Sequence, residues 1–590
     1  KEYRRQRQMC IRDRKQTLKY ESEQPNSLYD PNGSFQSINR RYDIVYGDVM
    51  LNFNYNINRF DIAATVGWTG RYENMNNIRV STNGGLVTEN WFDLNASRYT
   101  PSSTLQRMEL LKTGYMGTLS LGWDNYLFLE LTGRQERSST LKDQSFFYPS
   151  ANLSFLFTQA FHMPSWWNYG KLRLSYGIVG NAPETYTANI VYEQGSDNGF
   201  TWNTIPSSWG NADIRPEKKY EYEIGLESKF LNNRLGIDVS YYNNRVKDQI
   251  LSTPQPSTSG VKNVLMNVGE VANHGWDISI SATPILTRDF RWDLTANYGV
   301  YKNKVVKLAD GVPYLEILNS GGSGIKIQAV EGQPMGDIYA QVPQVNENGE
   351  YLVSDKGLYL NQTELQKVGN INPAGVGGLF NSFSYKNVFL DFSIDFRIGG
   401  DVINEMNQYA TAVGLTPESL KYRDTEHGGL SYYYPGDNNS SGIPVQVDPS
   451  TGAGPNGEII YHDGIILPGV VASTGERNTR IIPAGYYYNT TYNWGTEAEQ
   501  LTYRHSVFDN SYVKLRELTI GYQFPEKMIS KLGLGRLSVS VFGRNLFYFY
   551  KALKNYDAES SVGTSWANQA TVGSSTTATR SFGVSLRASF

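Results

Sequence analysis

The residues able to do chemistry are few, and their spacing argues against a reaction centre. The five histidines, His162, His274, His427, His462 and His505, lie far apart without the H-E-x-x-H kind of spacing that brings two imidazoles to one metal ion. Each reads as a loop or rim residue. Asp391 and Asp395 share one parity of a strand, and paired acids can do acid/base work, but solvated acids on a wet face are the simpler reading. Gly321-Gly-Ser-Gly324 lacks the strand, helix and Lys context of a phosphate-binding turn. Asn346-Glu-Asn-Gly-Glu350 and Asp448–Glu458 are acidic, Gly-containing loops that could hold calcium, yet neither has EF-hand ligand spacing. Cys10 is the only cysteine, so neither an internal disulfide nor a thiolate metal cluster can form. The expectation is a chain with no catalytic residues, no metal and no cofactor, hence not an enzyme.

Bulk properties point to an unusual architecture. A chain of 590 residues exceeds a single globular core, which stops growing at about 250–300 residues. Aromatics make up 13% and charged residues 19%, the latter below the roughly 25% of soluble proteins. Mean hydropathy is nonetheless −0.45. No stretch approaches the ~20 apolar residues of a spanning helix, so a bilayer could be crossed only with strands. A net charge of −3 gives no reason to expect nucleic acid.

The elements repeat one pattern. In Arg580–Phe590, Phe582, Val584, Leu586, Ala588 and Phe590 share one parity while Gly583, Ser585, Arg587 and Ser589 share the other, giving a strand one apolar and one polar face. Phe290, Trp292, Leu294, Ala296 and Tyr298 repeat this, as do Leu235–Tyr241, Val388–Phe396 and Leu518–Phe524. About fifteen such strands fall between Arg41 and Phe590, with a doubtful one near Lys15–Glu23. Helical periodicity is confined to short turns, the best being Glu526–Leu532. Short links near Asn56–Phe60, Asp124–Asn125, Ala160–Tyr169, Leu231–Asn233, Pro284–Asp289, Lys386–Asn387 and Pro525–Gly535 alternate with long ones. These are Glu73–Gln106, Ser138–Ser145, Gly180–Lys218, Leu251–Ala272, Lys307–Gly377, Gly399–Asn510 and Tyr550–Thr577. That sorting is what an outer-membrane barrel needs, with short periplasmic turns on one rim and long extracellular loops on the other. A closed barrel also satisfies strand hydrogen bonds in hydrocarbon. The predicted fold is an all-β, transmembrane antiparallel β-barrel.

Several segments carry a family resemblance: "KLRLSYGIVGN" (Lys171–Asn181), "YYNNRVKDQIL" (Tyr241–Leu251), "NVGEVANHGWDISISATPI" (Asn267–Ile285), "VGNINPAGVGGLFNSFSYKN" (Val368–Asn387), "IGGDVIN" (Ile398–Asn404), "SYVKLRELTIGYQFP" (Ser511–Pro525) and "FGRNLF" (Phe542–Phe547). Gly269, Gly275 and Gly543 read as bends or close approaches, and Asn545 as a local hydrogen-bonding position. In this order the segments resemble the C-terminal barrel of SusC/RagA-type TonB-dependent transporters. One departure is Asp557-Ala-Glu559, where the family shows Asp-Pro-Glu.

The resemblance implies a multi-pass outer-membrane importer, driven by the TonB complex through a plug and closed outside by a SusD-like lipoprotein lid, with an oligosaccharide or peptide as substrate. It implies a barrel of 22 strands, a signal peptide, an N-terminal carboxypeptidase-regulatory-like domain, a TonB box and a plug. The expectation is therefore that residues 15–590 form a partial barrel domain of 15–16 strands without those parts. The basic opening "KEYRRQRQMCIRDRK" lacks an apolar h-region, and residues 1–14 read as a non-native leader or, alternatively, a genuine basic one. Phe582, Val584, Leu586 and Phe590 resemble the terminal signal read by the outer-membrane assembly machinery. Candidate substrate contacts are loop aromatics, which stack on sugar rings at low entropy cost: Trp202, Trp209, Tyr432, Tyr433, Tyr434, Tyr486, Tyr487, Tyr488, Tyr492 and Trp494. The alternatives for each are packing of the loops together, packing onto the lid, or a place in the interface girdle. Two other functions stay open, a self-contained passive porin and a secreted β-rich glycan-binding protein.

Overall fold

A computed structural model describes residues 2–22, 32–142, 145–197, 199–254, 257–320, 324–436, 442–493, 502–560, 566–572 and 578–589, with the backbone alone at 2–13 and a few other positions. Sixteen long strands form one antiparallel sheet in chain order. They are β1 (Glu2–Ser22), β2 (Ser34–Ile57), β3 (Phe60–Leu86), β4 (Ser97–Trp123), β5 (Leu127–Ser138), β6 (Ser145–Phe155), β7 (Trp167–Asn181) and β8 (Glu217–Phe230). The series continues with β9 (Leu235–Lys247), β10 (Glu270–Leu286), β11 (Phe290–Lys307), β12 (Gly375–Tyr385), β13 (Val388–Ile398), β14 (Tyr512–Gln523), β15 (Arg536–Lys551) and β16 (Ser581–Ser589). The doubtful first strand is real, and its ladder with β2 runs from Glu2 opposite Asn54 to Ser22 opposite Ser34, through the residues read above as a leader. The chain divides into two compact units, Lys1–Lys229 with Ser240–Ala272, and Phe230–Val239 with Asn273–Phe590.

In the first unit the register shows where hydrocarbon ends. One face of β2 carries Val45, Val49, Leu51, Phe53, Tyr55 and Ile57, most of them exposed. It continues across the ladders as Ile62, Val66, Trp68 and Tyr72 of β3 and Leu111, Tyr115, Leu119 and Leu121 of β4. Beyond it this face turns polar along a single rung, Asp43 opposite Asn74 opposite Glu109. From Val45 to Ile57 is about 12 residues, or about 40 Å of strand, which a tilt of about 45° reduces to about 28 Å, the height of an apolar barrel band. At its lower edge rings follow one another: Phe60 on Trp123 at 6.4 Å, Trp123 on Tyr126 at 5.4 Å and Tyr126 on Phe155 at 6.1 Å. Trp123 and Tyr126 suit that boundary because an indole or phenol has one apolar end and one that can meet water, and the two Phe rings pack against them.

The rung explains one difference from the sequence reading. Glu73–Gln106 was expected to be a long loop, but β3 and β4 run on to Leu86 and from Ser97. Above the membrane both faces meet water, so the apolar alternation that reveals a strand disappears. The short turns follow local chemistry. Asn58, Asp124, Asn125, Asn232 and Asn233 all take positive φ, between 50° and 62°, a conformation Asn and Asp tolerate and tight hairpins require.

In the second unit one rung reads Trp292, Phe383, Leu390, Ile520, Val541, Val584 across six strands, and its neighbour reads Asp293, Ser382, Asp391, Thr519, Phe542, Gly583. The first is the lipid face, the second the inner face. Asn381 stands on this lipid face although it is polar, and its Oδ1 accepts from Trp292 Nε1 at 3.1 Å. The long loops are folded as well. Ile325, Ile327, Ile338, Ile371, Ile403 and Val507 build one core, and Leu358, Ile465, Leu467 and Ile482 another. Two helices, Glu405–Ala412 and Ala484–Tyr492, exceed the short turns expected. The second, "AGYYYNTTY", has no clean apolar stripe, and helices this short owe their stability to packing rather than propensity.

Candidate functional site

The site grows from an irregularity in the wall. Between β13 and β14 the register jumps from Ser393 opposite Glu517 to Ile394 opposite Leu515, leaving Arg516 as the extra residue of a bulge. β15 is disturbed at the same level, with Asn545 at φ 53°. A bulge re-aims a side chain, and here it turns Arg516 onto the inner face. Its Nε donates to Asp395 Oδ2 at 2.6 Å and its Nη1 to Asn545 Oδ1 and Glu559 Oε2, both at 2.8 Å. Lys514, with 2% of its side chain exposed, also donates to Glu559. Burial alone would raise the Glu559 pKa, but the bonds from Arg516 and Lys514 outweigh it and hold the carboxyl down at about 2.

This knot fastens an extracellular loop to the wall. Asp557 Oδ1 accepts from the Glu559 amide at 3.0 Å and from the Tyr548 hydroxyl at 2.5 Å, and the Ala558 carbonyl accepts from Asn510 Nδ2 at 3.0 Å. Asp557-Ala-Glu559, noted above only as a departure, is thus the clasp. Its partners could not be paired from sequence, since Glu559 lies 43 residues from Arg516 and Arg516 lies 121 from Asp395. The bulge itself leaves no periodic signal.

Below the knot the inner face holds a recess of about 400 Å³ lined by Phe380, Phe389, Asp391, Glu517, Thr519 and Arg587. Gly521 makes room there, because a methyl group on it would overlap the Phe389 ring. In the first unit another recess of about 590 Å³ is lined by Asn54, Asn56, Asp61, Glu130 and Asn152. Two Arg-x-Glu pairs on that unit's inner face each clasp a tyrosine. Arg71 and Tyr42 both donate to Glu73, and Arg134 and Tyr148 to Glu136 at 2.8 and 2.7 Å.

The predicted aromatics fall into separate groups. Tyr432 is 1% exposed, stacked on Tyr461 at 5.5 Å and edge-on to Tyr434 at 5.5 Å, with its hydroxyl on Asp463 at 3.1 Å. Tyr433, half-buried, sits in the same strand opposite Val445. Tyr486 and Tyr487 pack on the Leu358 core. Tyr488 is buried under Arg423 at 5.1 Å and donates to the carbonyls of Glu418 and Lys421 at 3.0 and 3.2 Å. Tyr492 stacks on His505 at 4.3 Å. Burial, and then the Arg504 charge, push that imidazole down to about 4, so it is neutral. In the first unit Trp202 is 49% exposed, its indole lying over Gly195, and Trp209 meets Tyr192 edge-on at 6.2 Å. Trp494 lies outside the described residues, as does Phe590. Phe582, Val584 and Leu586 stand on the lipid face, and Phe582 is 73% exposed.

The other candidates close their own loops. The Glu458 carboxylate accepts from the amides of Gly436 and Asn456 at 3.0 and 2.8 Å, which pulls it down to about 2. Asn346 Oδ1 accepts from the amides of Asn348 and Glu350 at 3.0 and 2.9 Å. Ser431 Oγ lies 2.8 Å from His462 Nδ1, but Ser431 is buried in its small sheet.

Comparison with known proteins agrees with this geometry. Residues 11–330 match the family described as TonB dependent receptor-like, beta-barrel. TonB-dependent receptor P3 of Formosa agariphila is 24% identical over 494 residues, 76% of this chain and 42% of that protein. TonB-dependent receptor SusC of Bacteroides thetaiotaomicron is 30% identical over 247 residues, 38% of this chain and 24% of that one. A solved structure of the RagAB peptide transporter shares the fold with a TM-score of 0.66 at 18% identity, covering 92% of this chain and 56% of that chain. The chain thus spans less than half the length of the curated relatives it matches. Lipid-facing rungs, sorted loops and family match together place the chain in the family of TonB-dependent receptor-like β-barrels, in the outer membrane.

Proposed function

We propose that this chain is the wall and outer vestibule of an energised importer, which takes up an oligosaccharide or peptide with a SusD-like lipoprotein as lid and the TonB complex as motor. The observation that best supports this is the folded state of the long loops of the second unit. A passive pore needs only an open polar lumen, whereas these loops have cores of their own and are clasped to the inner wall through Arg516 and Glu559. Such a body can present a fixed surface to a lid and a substrate. The names of the SusC relative and the RagAB transporter favour the same reading. Trp202 is the sequence-predicted aromatic best placed to stack on a sugar ring, while Tyr432, Tyr434 and Tyr488 serve as loop scaffolding. The reading assigns the chain no catalytic step.

The test is uptake in cells. A strain lacking the full-length gene is complemented with it and supplied with fluorescently labelled oligosaccharides and peptides, with and without TonB. Accumulation that needs both the gene and TonB supports the importer. Accumulation that survives loss of TonB would favour the passive porin instead.

A further inference from the structure

The inner face of β1–β4 changes character at the Asp43–Asn74–Glu109 rung. Lower down it carries Asn54, Asn56 and Asp61. At and above the rung it carries cations. Arg40 lies opposite Gln16 and Asn77, Arg79 opposite Ile38, and Arg14 opposite Tyr42. Just below, Arg71 and Lys112 are direct cross-strand partners. Five cations therefore share this face with Glu73, whose carboxylate is already taken by Arg71 and Tyr42. The side chains of Arg14, Arg40, Arg79 and Lys112 make no ion pair or hydrogen bond among the described residues. Arg14 falls in the segment read as a leader; the other four stand without it.

Stability alone does not account for this arrangement. Like charges directly opposite one another across a ladder are destabilising, and Arg71 faces Lys112 in that way. A recess of about 240 Å³ lies among Arg14, Gln16, Arg40, Tyr42 and Met75. Beside it the Oδ1 of Asn77 is buried and accepts no hydrogen bond from the described residues. Tyr20, 55% exposed, lies one rung step further along the same parity of β1 as Gln16 and Leu18. Because this parity is opposite to the lipid face, membrane lipid is not the intended anion.

We infer that this basic vestibule face binds an acidic oligosaccharide, one bearing carboxylate or sulfate groups. Guanidinium forks match the two-oxygen edge of those groups. The amides of Gln16 and Asn77 suit sugar hydroxyls, and the Tyr20 ring suits a C–H face. The assignment rests on the uptake reading for its biological sense, but it is tested by binding alone.

The full-length protein that carries this chain, purified in detergent, is titrated with a dextran sulfate oligosaccharide and with neutral dextran of the same length. The sulfated probe should bind at least tenfold tighter, with affinity falling steeply as salt rises. R40Q combined with R79Q should weaken that binding at least tenfold. R40K with R79K should retain most of it, and K527Q with K531Q, at the short-turn end, should leave it unchanged. Equal affinity for both dextrans, or equal loss in the two neutralised doubles, overturns the assignment, the second by showing a net-charge effect only. Thermal unfolding of each variant separates lost binding from lost fold. Binding that behaves as expected in a protein unable to support TonB-dependent accumulation would refute the importer and leave the anion site standing.

Discussion

Lys514 of the wall, its side chain almost wholly buried, donates to the carboxylate of Glu559, a loop residue 45 positions away. Removing that carboxylate leaves a buried ammonium without its counter-charge. Breaking one side of a buried ion pair costs about 3–5 kcal/mol, and because Glu559 is partly exposed about 2–3 kcal/mol is expected for E559Q. The loss should appear as rapid hydrogen exchange and protease cutting at residues 552–560, with the remaining wall unaffected.

The same clasp sets a pH dependence. With the Glu559 pKa depressed from its ordinary 4.5 to about 2, its contribution is fully present above about 4.5 and is lost as pH falls towards 2. Protection from hydrogen exchange at 552–560, taken relative to the intrinsic exchange rate at each pH, should therefore be unchanged from pH 8 to 5 and fall below about 4. Protection lost already at pH 6 would point to another titrating group.

Gly521 lies beneath the Phe389 ring. G521A must push that ring into the recess it borders, and overpacking of this kind costs about 1–3 kcal/mol. A lower temperature for conversion of the folded band to the unfolded band in detergent gels would report it. Restoration by F389A in the double variant would prove the contact.

Val584 faces lipid and Ser585 the inner side. An arginine near the middle of the lipid face costs about 2–4 kcal/mol, whereas inner positions tolerate charge. V584R should reduce the amount of folded barrel recovered from the outer membrane, and S585R should not. Equal effects would mean that the two faces are wrongly assigned.

Tyr488 holds Glu418 and Lys421 through its hydroxyl. Y488F keeps the ring under Arg423 but loses the donor, at about 1 kcal/mol. Limited proteolysis should then cut first within residues 417–423.

The wall was legible in the sequence because lipid outside and water inside impose a two-residue period on each strand, as at Phe582–Leu586 and Phe290–Tyr298. Turn residues such as Asn58, Asp124 and Asn125 announced their own conformations, and loop lengths sorted the two rims. Where hydrocarbon ended, the period ended, so the upper halves of β3 and β4 were mistaken for loop. The loop aromatics were legible as a class, but only packing decided that Tyr432 and Tyr488 turn inward while Trp202 remains half exposed. The knot of Asp395, Lys514, Arg516 and Glu559 was settled by tertiary structure alone. It depends on a bulge that aims one arginine and on a loop that returns to meet it, and contacts between residues so distant in sequence carry no local pattern.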